Sequence, residues 1–129
     1  MADRETALRN LAVGDIFHGR SPNGASLVCL VTAVSETTIV ARRIPTQEEG
    51  LEFDRRTGVK LGTANTRIDC VAPLPPEVKD VLLARDRKGR RLAEMRRNGI
   101  KPGLDQYRLT EADLRASRLF REHVAANPI

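Results

Sequence analysis

Aromatic side chains are scarce: Phe17, Phe53, Tyr107 and Phe120 are the only four in 129 residues, and tryptophan is absent. The core must therefore be aliphatic, and two familiar modes of recognition lose their main tool. Reading single strands by base stacking needs exposed aromatic rings on a sheet, and a polyproline-binding groove needs an aromatic lining. Cysteine is nearly as rare. Cys29 and Cys70 each sit in an apolar run, where a thiol is usually a small buried hydrophobe, and without a CxxC pair they make no zinc site. A disulfide between them stays open. No run approaches the roughly 18 apolar residues that cross a bilayer. The opening MADRETALRN mixes acids with bases, unlike a secretory signal. The expectation is a cytoplasmic protein with no membrane contact.

Sequence signatures of chemistry are also missing. There is no GxxxxGK[ST], and Gly14, Gly19 and Gly24 do not form GxGxxG. HExxH, GxSxG and His/Cys clusters at metal spacing are absent as well. His18 and Cys29 would make a nucleophile pair only if the fold joined them in an exposed, electropositive pocket. The plainer reading is a strand-end surface histidine and a packed cysteine. His123 falls on an apolar helical stripe and reads as a core or edge histidine holding one hydrogen bond. Asp54, followed by Arg55-Arg56-Thr57-Gly58, reads as β-turn chemistry rather than a catalytic acid. No cofactor or metal is expected, and a binding module is favoured over an enzyme.

Apolar residues at 40% and charged residues at 30% describe an ordinary folded domain. Its patterning changes once along the chain. Residues 1–11 read as a short, peripheral helical lead-in. From Val13 onward, short β segments alternate with turns: Ile16-Phe17, then SPNG (21–24), then SLVCLVTAV (26–34), which is apolar on both faces and so reads as the central strand. TIVARRI (38–44) stops at Pro45, LEFD (51–54) alternates with Leu51 and Phe53 on one face, and RRTG (55–58) turns at Gly58. A weak strand, VKL (59–61), and a stronger one, RIDCV (67–71), complete the set. In Arg42-Arg43 one side chain must point inward, toward an acid such as Asp69 or Glu52, or across a sheet edge.

This spacing, with the opening VGDIF at 13–17, resembles that of SH3-like barrels over residues 11–72. The resemblance implies a small antiparallel barrel or roll and no particular activity. APLPPE (72–77) closes the β half, since three prolines in four residues cannot continue a sheet. The expected fold is thus α+β, an SH3-like barrel over 1–75 followed by two or three helices over 76–129. In the first of these helices Val78, Val81, Leu82, Leu92 and Met95 share an apolar stripe, which Arg85 and Gly89 interrupt. A kink or break near Gly89 is expected. Asn98-Gly99 ends that helix. Thr110 and Asp113 form a capping box for the last one, with Leu109 and Leu114 as a staple and Ala112, Ala116, Leu119, Phe120, His123 and Val124 as its buried stripe.

Charge is divided by the same boundary. Residues 1–75 hold nine Lys/Arg and nine Asp/Glu, whereas residues 76–129 hold 13 and 8, so the whole net charge of +5 lies in the helical half. ARDRKGRRLAEMRR (84–97) alone carries seven cations against Asp86 and Glu94. Lys79, Arg87, Arg90, Arg91 and Arg97 project opposite the apolar stripe and are the candidate contacts to nucleic-acid phosphates. The bland counterpart is a solvated helix face. The alternative function is a protein-interaction or accessory subunit that docks on a partner, or on a second copy, through the amphipathic C-terminal helices.

Overall fold

A computed structural model describes residues 3–62 and 65–129. Five strands, β1 (Ile16–Arg20), β2 (Ser26–Val34), β3 (Thr38–Arg43), β4 (Leu51–Asp54) and β5 (Arg67–Cys70), form one antiparallel sheet in the order β4-β3-β2-β1-β5. β2 lies at its centre, covered on both faces. Leu27, Cys29 and Val31 point into the curl of the sheet, and Val28 and Leu30 pack against helices on the other side. The sheet is a half-barrel. Segment 59–61 is not a full strand as expected, but Phe53 bridges to Lys60 and Val59 to Arg67, so it touches both edge strands.

Inside the curl, Phe17 and Phe53 meet edge to face with ring centroids 5.1 Å apart, among Leu27, Val31, Ile39 and Ile68. The helix α1 (Arg4–Arg9) closes this core and is not peripheral, for Leu8 is wholly buried. So short a helix is marginal alone, and tertiary packing stabilises it. Arg4 donates to the Thr57 carbonyl from Nε (2.9 Å) and Nη2 (2.8 Å), fastening α1 to the turn after β4. Met1 and Ala2 of the expected lead-in lie outside the described residues. The turn itself follows the sequence: Asp54 Oδ1 accepts from the Arg56 and Thr57 amides, and Gly58 has φ of 73°.

The opposite face of the sheet carries the helical layer. Helix α2 (Pro76–Arg97) and helix α3 (Glu111–Ala126) bury Val78, Leu82, Phe120 and Val124 against Ile16, Ile44 and Cys70. A short 3₁₀ turn, Leu104–Tyr107, lies between them. Thr110 and Asp113 make the capping box of α3, while Leu109 and Leu114 remain 57% and 56% exposed, so the staple closes no core. Ala112, expected in the buried stripe, is exposed too. His123 accepts its structural role, with Nε2 3.1 Å from the Ala72 carbonyl. No helix among the described residues is long and apolar enough to cross a membrane.

α2 does not break at Gly89. A Cβ on that residue would stand 2.2 Å from the Pro45 carbonyl oxygen, so glycine is there because the helix backbone rests directly on the loop after β3. The interruption in the apolar stripe marks a close approach of helix and loop backbone. Arg85, the other interruption, is an interhelix tie: Nε lies 3.2 Å from Asp113 Oδ1, and Nη2 donates to the Asp113 carbonyl (2.6 Å) and Ser117 Oγ (2.9 Å).

Candidate functional site

What fixes the orientation of α2 is a buried ion pair. Arg42 does point inward, but its acid is Asp86 of α2 rather than Asp69 or Glu52. Nε donates to Oδ1 at 3.1 Å and Nη2 to Oδ2 at 2.8 Å. Glu52 is on the solvent side of β4, and Asp69 is engaged by β1, so neither was available. Gln47 adds a bond of 2.7 Å to Asp86 Oδ1. Burial alone would raise the Asp86 carboxyl, but the hydrogen bonds from Arg42 and Gln47 outweigh it and hold the group below its ordinary value. Arg42 is raised by the same hydrogen bond. A bidentate pair of this kind sets the rotation of the helix as well as its position.

With α2 continuous and its rotation fixed, the five candidate cations come to the surface together. Lys79, Arg87, Arg90, Arg91 and Arg97 are all exposed. At 100° and 1.5 Å per residue they occupy an arc of about 120° and a length of about 27 Å. Arg90 reaches back to Asp86 at 3.8 Å, and Arg91 donates weakly to Gln106 Oε1 at 3.4 Å. The side chains of Lys79, Arg87 and Arg97 make no hydrogen bond or ion pair among the described residues. Asp80 and Glu94 share the arc, which leaves the face at net +3. The interior arginines are committed by contrast: Arg42 to Asp86, Arg85 to Asp113, and Arg55 to the carbonyls of Ser35, Arg9 and Leu11.

The His18/Cys29 pair is not formed. Both cysteines are free and buried, and burial pushes the Cys29 thiol up to about 12. Phe17 pairs with Cys29 across β1 and β2 while His18 pairs with Val28, so His18 and Cys29 fall on opposite faces of the sheet. His18 itself is not a surface residue. It is 4% exposed and bonded through Nδ1 to Asp69 Oδ1 at 2.5 Å. Sequence alternation could place His18 and Arg20 on one face of β1. It could not supply Asp69, because the β1–β5 register shifts between His18 and Gly19. Among the described residues no group of three or more His, Cys, Asp or Glu side chains is arranged to hold a metal.

No family model matches this chain, and no curated protein or solved structure does so either. The functional reading rests on the geometry alone.

Proposed function

We propose that the protein is a non-enzymatic binding module that engages nucleic-acid phosphates through the outer face of α2. The observation that carries the reading is an unbroken helix whose exposed arc holds five cations, three of them with no protein partner among the described residues. Such a face suits a polyanion: each neutralised phosphate releases condensed counterions, and a face about 27 Å long can reach across a major groove about 12 Å wide to both backbones. Contact of this kind reads charge spacing rather than base edges. Three of the four aromatic rings are packed away, Phe17 and Phe53 inside the curl and Phe120 on the inner side of α3, and the half-exposed Tyr107 accepts from Arg96 through its hydroxyl. The sheet serves as scaffold. Its SH3-like character is supported by the bridges from Val59 and Lys60 to both edge strands.

The test is a filter-binding titration at low salt with duplex and single-stranded probes. Replacing Arg90 and Arg91 by Gln should weaken all duplexes alike and flatten the log–log salt slope by about two.

A second reading, docking on a protein partner, is favoured by a different face. Between α2, the 3₁₀ turn and the start of α3 lies an open cleft of ≈ 680 Å³, lined by Val81, Leu92, Tyr107 and Leu109 among others. Leu104 beside it is 89% exposed. Large apolar side chains left in water together mark interaction surfaces more often than they mark nothing. A lysate pull-down repeated with nuclease separates the two readings.

A further inference from the structure

On the helix-facing side of the sheet, β1 and β2 and the two long helices enclose a second cleft of ≈ 560 Å³. Its inner wall is apolar, made by Val28, Leu82, Phe120 and Val124. His18 lies against this wall, its ring centroid 5.7 Å from that of Phe120. Asp69 orients two groups toward the cleft at once, taking His18 on Oδ1 and Arg20 Nε on Oδ2 at 3.3 Å. With Nδ1 bound to Asp69, Nε2 is the free nitrogen of the ring, and it has no partner among the described residues. His123 shows what a purely structural histidine looks like in this fold. Its Nε2 meets the Ala72 carbonyl and its Nδ1 meets Asn127. The His18 ring is buried, but Nε2 itself is not sealed from water, so it is open to a ligand in the cleft.

Guanidinium groups at the mouth have donors to spare. Arg121 makes no hydrogen bond or ion pair among the described residues, Arg20 leaves Nη2 unused, and Arg85 leaves Nη1 unused. All three line the cleft. Arginines presenting free nitrogens beside a histidine recognise a multi-oxygen anion, and phosphate offers the most acceptors. As an imidazolium, His18 donates from Nε2 to a phosphate oxygen. As a neutral ring held by Asp69 with the proton on Nδ1, it accepts from a phosphate hydroxyl. The cleft is much larger than a bare phosphate, and its apolar wall would be covered only by a carbon body.

We propose that this cleft binds a phosphomonoester carrying a flat apolar body, with its phosphate held by Arg121, Arg20 and His18 Nε2 and its body against Phe120 and Val124. The site is separate from the outer face of α2 and does not depend on nucleic-acid binding there. The test is a titration of the isotope-labelled full chain with phenyl phosphate, followed by nuclear magnetic resonance. The His18 Nε2 signal and the amides of Arg20, Phe120 and Arg121 are expected to shift together and saturate. Arg121→Gln, an exposed change that spares the fold, is expected to weaken binding about tenfold or more, as is His18→Gln. Lys101→Gln, which removes a charge outside the cleft, is expected to leave it unchanged. Inorganic phosphate is expected to bind about tenfold more weakly or worse, because it leaves the apolar wall in water. An unmoved His18 signal at millimolar phenyl phosphate would overturn the proposal, as would equal loss in the Lys101 and Arg121 variants. Equal affinity for inorganic phosphate would overturn the assignment of the apolar body.

Discussion

Replacing Asp86 by Ala removes the acid that holds α2 to β3. Arg42 and Asp86 have side chains only 10% and 5% exposed, so the guanidinium would be left in the interior with Glu49 4.0 Å away and largely in water as its nearest remaining acid. Breaking a buried pair by deleting one member costs about 3–5 kcal/mol, since the survivor keeps its desolvation penalty. Gln47 also loses its 2.7 Å bond, but that side chain is only part-buried and can turn to water. With a urea m-value of roughly 2 kcal/mol/M, the loss should move the unfolding midpoint down by about 2 M. Substituting both partners with apolar residues, Arg42→Met with Asp86→Leu, should recover most of the stability. The Asp86→Ala variant should also lose affinity for duplex at low salt, because the face of α2 is no longer held in one rotation. A single-variant loss below about 1 kcal/mol, the range of an exposed pair, would refute the claim that this contact locks the helix.

Gly89→Ala should destabilise by about 1–3 kcal/mol despite the better helix propensity of alanine, because the new methyl meets the Pro45 backbone; a rise in the urea midpoint would show that the loop yields. Asp86 and Asp113 both have carboxyls held below the ordinary 3.8. Their contribution to stability is therefore complete above that value and is lost as the pH falls through the lower folded-state values, so the urea midpoint should be level at neutral pH and drop steeply below about pH 4. Asp86→Asn and Asp113→Asn should each flatten that drop. Cys29 should resist a disulfide reagent at neutral pH until denaturant is added, with Cys70, also raised by burial, behaving likewise; rapid labelling of the folded chain would contradict their burial.

The strands and helices were legible because their periodicity is strong. SLVCLVTAV carries apolar residues on both faces and is the central strand, and the prolines of APLPPE mark the change from sheet to helix. What could not be read were the places where one element meets another. Gly89 looks like a helix breaker in one dimension, and only the fold brings the Pro45 carbonyl against it. Arg42 requires a buried acid, but Asp86 lies 44 residues away inside a run of cations, where it reads as a surface counterion. His18 looked exposed because β1 is short, and only the helical layer above it, with a bulge in its pairing to β5, buries it beside Asp69. The five cations of α2 were legible as one face because helical projection needs no tertiary information. Whether that face stayed together depended on Gly89.

The most direct test of the central claim is the salt dependence of duplex binding by the intact chain, followed by fluorescence anisotropy from low to physiological salt. If Lys79, Arg87, Arg90, Arg91 and Arg97 each neutralise one phosphate, log affinity should fall with log salt at a slope of about −4.5, nearly independent of sequence, and the Arg90/Arg91→Gln variant should give about −2.7. No binding at low salt, or a slope that the double substitution leaves unchanged, would contradict the assignment of α2 as a nucleic-acid interface.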